Sequence, residues 1–127
     1  FRDWLYVTDH CRAIEAVITW GKIGDTYCIG GLKETSTNID LAKKVLKLMG
    51  ESESMIEFVA DRPAHDNYAV SWKKINQELG WEPQETLDSG LAKMINWYRE
   101  NESWWRAAKT EAEAFYKRLN DYKNLNK

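Results

Sequence analysis

Apolar positions recur along this chain with two periods, and the change from one to the other divides it into short elements. Trp4-Leu5-Tyr6-Val7 reads as a strand, as do Asp25 to Ile29, Met55 to Val59 and the short Tyr68-Ala69-Val70. Between them lie runs with apolar residues three and four apart. Asp9 predicts the cap of a helix with Ala13, Ile14, Val17 and Ile18 on one face, ended at Gly21. Asn38 predicts the cap of a second, with Leu41, Ala42, Val45, Leu46 and Met49 inward and Gly50 as its stop. Ser71 opens a third through Trp72, Ile75 and Leu79 to Gly80. Thr86 opens a fourth carrying Leu87, Leu91, Met94, Ile95 and Tyr98. The expected class is α/β, with short strands and about five helices.

After Asn101 the pattern changes. Trp105, Ala108, Ala112, Phe115, Leu119 and Tyr122 follow one another at spacings of 3, 4, 3, 4 and 3, a heptad-like stripe with Glu113 and Lys117 outside it. The simplest expectation is a terminal amphipathic helix, residues 104–127, packed on the portion formed by residues 1–103. The competing expectation is a homo-oligomer through that helix.

Composition narrows the function classes. The 127 residues suffice for one domain with a modest core. Lys and Arg number 18 against 20 Asp and Glu, a net charge of -2, so the chain lacks the basic footprint of a nucleic-acid or anionic-membrane binder. Seven Trp, six Tyr and three Phe argue against disorder. Cys11 and Cys28 form no C-x-x-C pair, and with two His they make a poor metal set; two buried thiols in a cytoplasmic protein are expected. No apolar run approaches the ~18 residues of a membrane span. The chain opens on Phe1 inside a strand-like run, which predicts a piece of something longer.

Several catalytic signatures are missing. Gly21 and Gly24 follow a helix and are succeeded by Tyr27, so they do not form the glycine-rich strand-to-helix turn of a dinucleotide site. None of the six tyrosines has Lys four residues later, and neither a nucleophile elbow nor H-E-x-x-H occurs. No catalytic residue and no cofactor-binding residue is therefore assigned. Two polar clusters remain. Arg2-Asp3 abuts the first strand, where a guanidinium can reach an anion. Asp61-Arg62-Pro63-Ala64-His65-Asp66 follows the third, at the strand end where open α/β sheets bind ligands. Arg62 can contact a phosphate through two N–H groups and His65 can donate to one; the bland alternative is a solvated loop with an internal ion pair.

In order along the chain, these segments resemble the dTDP-glucose 4,6-dehydratases. Residues 2–13, R-D-W-L-Y-V-T-D-H-C-R-A, resemble that family's R-D-W-L-Y-V-x-D-H-x-R-A. Residues 24–31 resemble its G-E-x-Y-N-I-G-G, residues 59–66 its V-x-D-R-P-G-H-D, and Glu78 to Pro83 its E-L-G-W-x-P. The similarity reaches about residue 106. It implies the carboxyl-terminal, substrate-binding part of an extended short-chain dehydrogenase. The NAD-binding Rossmann part and the Tyr-x-x-x-Lys pair would lie elsewhere, so NAD belongs to the full-length enzyme and is not bound by this chain. The implied reaction is dehydration of a nucleotide-diphosphate sugar, dTDP-glucose in the first instance, to a 4-keto-6-deoxy sugar; a related epimerase is the alternative. Arg2, Asn38, Asp61, Arg62, Pro63, Ala64 and His65 match family positions that contact the nucleotide or its diphosphate. The sequence departs from the family where Ala64 replaces Gly, where Cys28 replaces Asn, and where two arginines are absent after Asp66.

Overall fold

The computed structural model describes residues 2–31, 36–58 and 69–125, with side chains to residue 118. Helices dominate them: α1 (Val7–Trp20), α2 (Asn38–Met49), α3 (Lys73–Leu79), α4 (Leu87–Glu100) and α5 (Glu102–Leu125), with a single 3₁₀ turn at Glu53–Met55. The five helices agree with the sequence pattern. The α/β expectation is corrected: among the described residues no β-strand forms, and the only pairing is an isolated antiparallel bridge between Arg2 and Ser36.

The extended segments are held by contacts other than a sheet ladder. An alternating run becomes a strand only when a neighbour satisfies its backbone groups. Here Val7 is already helical, and Ser52 to Ile56 close a turn. Residues 25–29 stay extended because side chains grip them. Lys74 Nζ donates to the Thr26 carbonyl at 3.1 Å and pairs with Asp25 at 3.2 Å, and Tyr27 Oη donates to Glu78 at 2.9 Å.

The chain divides into two compact units, residues 1–93 and 94–127. The core of the first forms where α1 meets α3. Ala13, Ile75 and Trp81 are buried, packed by Leu5, Val17, Tyr27, Ile29, Trp72 and Leu79. Trp72 and Trp81 meet edge to face with centroids 5.9 Å apart, a favoured aromatic geometry. Only part of the predicted α1 face takes part. Ala13 and Val17 turn inward, whereas Val7, Ile14, Ile18 and Trp20 are exposed. Both cysteines are free and exposed, against the expectation of buried thiols, because Cys11 lies on this outward side of α1 and Cys28 in the extended segment.

Local signals placed the helix ends well. Gly50 and Gly80 stop α2 and α3 in the left-handed conformation, with φ of 79° and 68°, which glycine adopts without a Cβ clash. Thr86 Oγ1 accepts from Ser89 N at 3.1 Å at the start of α4. Three N-caps move: Thr37, not Asn38, accepts from Asp40 N at 3.1 Å, leaving Asn38 as the first helical residue; Tyr6, not Asp9, precedes α1; and Trp72, one position after Ser71, precedes α3.

In the second unit, aromatic rings gather where α4 gives way to α5. Trp97 meets Trp104 at 5.3 Å, Tyr98 meets Trp105 at 6.2 Å, and the Trp105 indole donates to the Tyr98 carbonyl at 2.8 Å. No described helix is long and apolar enough to cross a membrane.

Candidate functional site

The Arg2-Asp3 pair lies at a junction of three segments distant in sequence. Arg2 N donates to the Ser36 carbonyl at 3.4 Å, which brings Arg2 two residues from Asn38 at the start of α2. Asp3 locks the junction from the other side. Its Oδ1 accepts from Gly31 N at 2.6 Å and its Oδ2 from Val70 N at 3.2 Å. A carboxylate taking two backbone N–H bonds makes a strong charge-assisted clip. The backbone must approach closely here: a Cβ on Gly31 would collide with the Trp4 carbonyl and the Asp3 carboxylate.

Of the residues singled out from sequence, Arg2 is thus bridged to Ser36, two positions before Asn38 at the start of α2. Asn38 is exposed and Arg2 half-buried. Asp61, Arg62, Pro63, Ala64 and His65 lie outside the described residues. Val70, the third residue after Asn67, is nevertheless tied to Asp3. Asp3 is therefore the positioning residue that the sequence reading passed over. An acid wedged between Arg2 and the apolar run Trp4 to Val7 was the available signal.

A second carboxylate plays the same part elsewhere. The expected cap Asp9 lies inside the first turn of α1, is 2% exposed, and reaches across to the segment before α4. Its Oδ2 accepts from Gln84 N at 3.1 Å and Glu85 N at 3.0 Å, while Oδ1 pairs with Arg12. The Asp9 carbonyl accepts the Trp81 indole N–H at 3.1 Å. Nearby, hydrogen bonds from Lys93 and then Ser89 hold the Glu85 carboxyl below its ordinary range, and the same contact raises Lys93. Lys74 is raised by its hydrogen bond to Asp25, and Lys43 by Glu53. These groups sit at the surface and act as fasteners.

The described residues do not fit a dinucleotide cofactor. The one close glycine pair, Gly30-Gly31, has its Gly31 N–H committed to Asp3, so that amide is already taken and cannot cradle a pyrophosphate oxygen. Among the described residues no three His, Cys, Asp or Glu side chains group to hold a metal. Trp4 Nε1 is buried with no partner among them.

The sequence model of the family GDP-mannose 4,6 dehydratase matches residues 1–94, and the chain belongs to that family. Among its relatives, dTDP-glucose 4,6-dehydratase of Escherichia coli is 45% identical over 117 residues, covering 83% of this chain and 32% of that protein. The dTDP-glucose 4,6-dehydratase of Streptomyces niveus is 44% identical over 114 residues, covering 89% and 34%. The crystal structure of dTDP-glucose 4,6-dehydratase from Bacillus anthracis in complex with NAD superimposes with a TM-score of 0.74 at 40% identity, over 83% of this chain and 33% of that one. The Bordetella bronchiseptica enzyme WbmF, in complex with NAD+ and UDP, superimposes with a TM-score of 0.71 at 28% identity, over 89% and 34%. The chain spans about a third of the length of the relatives it matches.

Proposed function

We propose that this chain is the nucleotide-sugar-binding, carboxyl-terminal part of a cytoplasmic dTDP-glucose 4,6-dehydratase-like enzyme. The observation that carries the reading is the Asp3 junction. It holds Arg2, the approach to α2 and Val70, two positions after residue 68, at one place, which supports a shared site for a diphosphate. By the family resemblance, Arg2 and Arg62 supply charge against the phosphates and Asn38 and His65 donate to the nucleotide or its diphosphate, with Asp61, Pro63 and Ala64 at the neighbouring matched positions. NAD supplies the hydride chemistry in such enzymes. The described residues do not form a dinucleotide site, and the part proposed for this chain is to grip and orient the nucleotide end of the substrate. The apolar outer side of α1, with Val7, Ile14 and Ile18 exposed, supports a working state in which a cofactor-binding part covers that helix.

Two measurements test the reading. Calorimetric titration of the chain with dTDP is expected to show binding that Arg2→Ala and Arg62→Ala each weaken by about 1–3 kcal/mol, roughly 5- to 150-fold. Titrations unchanged in both variants would return these residues to solvated surface. Incubated with dTDP-glucose and NAD, the chain is expected to release no 4-keto-6-deoxy sugar; formation of that product would overturn the division of labour.

A further inference from the structure

One polar atom at the Asp3 junction stands apart from its neighbours. Trp4 Nε1 is buried with no hydrogen-bond partner among the described residues, although the side chain as a whole is half-buried. The large majority of buried side-chain polar atoms in folded proteins are paired, because an N–H taken out of water without an acceptor costs its full desolvation. Around Trp4 the other donors follow that rule. Gly31 N and Val70 N both donate to Asp3, and Arg2 N donates to the Ser36 carbonyl. Trp4 is also tied to the junction by its backbone. It follows Asp3 directly, and its carbonyl lies so close to Gly31 that a Cβ there would strike it. A shift of Asp3 or Gly31 therefore moves Trp4 as well.

We infer that Trp4 is a positioning residue for the nucleotide site, its indole N–H unpaired in the ligand-free chain and paired once a nucleoside diphosphate is held. The inference rests on the reading of the Asp3 junction as a diphosphate site. The nitrogen is covered, so a ligand does not land on it from solvent. Its acceptor is instead a carbonyl of the chain, brought against it as the junction settles around the phosphates. The ligand-free arrangement carries the cost of the orphan donor and the bound arrangement recovers it. That difference favours the bound state, so Trp4 adds to nucleotide affinity without touching the nucleotide.

A change of a single atom tests this. Cys11 permits native ligation of a synthetic segment, residues 1–10, to residues 11–127, so the full chain can carry 3-benzothienylalanine in place of Trp4. That side chain keeps the shape of tryptophan and puts sulfur where the N–H was, so it opens no cavity. The substituted chain is expected to keep its urea midpoint, because no bond is lost in the ligand-free state. It is expected to bind dTDP about fivefold more weakly by calorimetry. In the natural chain, carrying isotope-labelled Trp4, the indole proton is expected to move downfield as dTDP is added and to saturate with the calorimetric signal, as a proton entering a hydrogen bond does. A lowered urea midpoint in the substituted chain would show the N–H already paired and would overturn the inference. So would an unchanged dTDP affinity, or an unmoved indole proton in a chain that binds dTDP. A chain that binds no dTDP by either method would reject the nucleotide site itself, and this inference with it.

Discussion

Replacing Asp9 by alanine is expected to remove about 3–5 kcal/mol of folding stability, the range for breaking a buried charge pair from one side. Three interactions disappear together. Gln84 N and Glu85 N lose the acceptor that ties their segment to α1, and Arg12 loses the carboxylate it pairs with. The two amides account for most of the expected loss, because a partly buried N–H without an acceptor costs its desolvation in full. Asp9→Asn is the informative companion. It keeps an acceptor oxygen for one or both amides but gives up the charge, so its loss is expected to be smaller, about 1–3 kcal/mol. Urea titrations followed by tryptophan fluorescence and far-UV circular dichroism read both values. A midpoint unchanged in Asp9→Ala would show that the link between α1 and the α3–α4 connection contributes little. Domains of this size have only about 5–15 kcal/mol in total, so the alanine variant should be visibly frayed near body temperature.

Trp81→Ala is expected to cost a similar 3–5 kcal/mol by a different route, the cavity left by a large core side chain. Trp81 is 5% exposed and fills the space between Ala13 and Ile75, with the edge of its ring system against Trp72. Trp81→Phe keeps most of the packing. It removes the indole N–H that donates to the Asp9 carbonyl, so about 1–2 kcal/mol is expected from that hydrogen bond and the lost volume. Because Trp81 and Asp9 are in direct contact, their losses should not add. A double-mutant cycle is expected to show a coupling above about 0.5 kcal/mol; strict additivity would mean that the two grip the segment independently.

Asp3 and Asp9 each bind backbone amides distant in sequence: Asp3 ties together three extended segments at the candidate site, and Asp9 ties the segment before α4 to α1. Asp3 spends both oxygens on backbone amides, and Asp9 spends one on two amides and the other on Arg12, which is how a small, strand-poor unit holds its extended segments without a sheet behind them.

The helices and their ends were legible because their determinants are local. A helix closes its hydrogen bonds four residues apart, so an apolar face and a terminal glycine such as Gly80 can be read from a short window. The terminal stripe from Trp105 onward was equally legible as a helix with one apolar side. Asn38 missed as a cap by one position, because Thr37 offers an oxygen of the same kind beside it. The strands were misread for the opposite reason. Alternation at Trp4 to Val7 and Asp25 to Ile29 describes segments suited to a sheet, but pairing depends on a neighbour that a short window does not contain. α1 was half right: the sequence shows its apolar residues, not that Ala13 turns to the core while Ile18 stays open.

By itself, then, the sequence determined the number of helices, their stops, the motif segments that place the chain among the nucleotide-sugar dehydratases, and the absence of a glycine-rich cofactor turn. Tertiary structure alone decided that Arg2 stands beside the start of α2, that Asp3 and Asp9 are fasteners, and which side of α1 is buried. The physical reason is range. Propensity, capping and periodicity act within a turn or two, whereas a carboxylate chooses among backbone amides up to 76 residues away only after the helices have brought them within 3 Å.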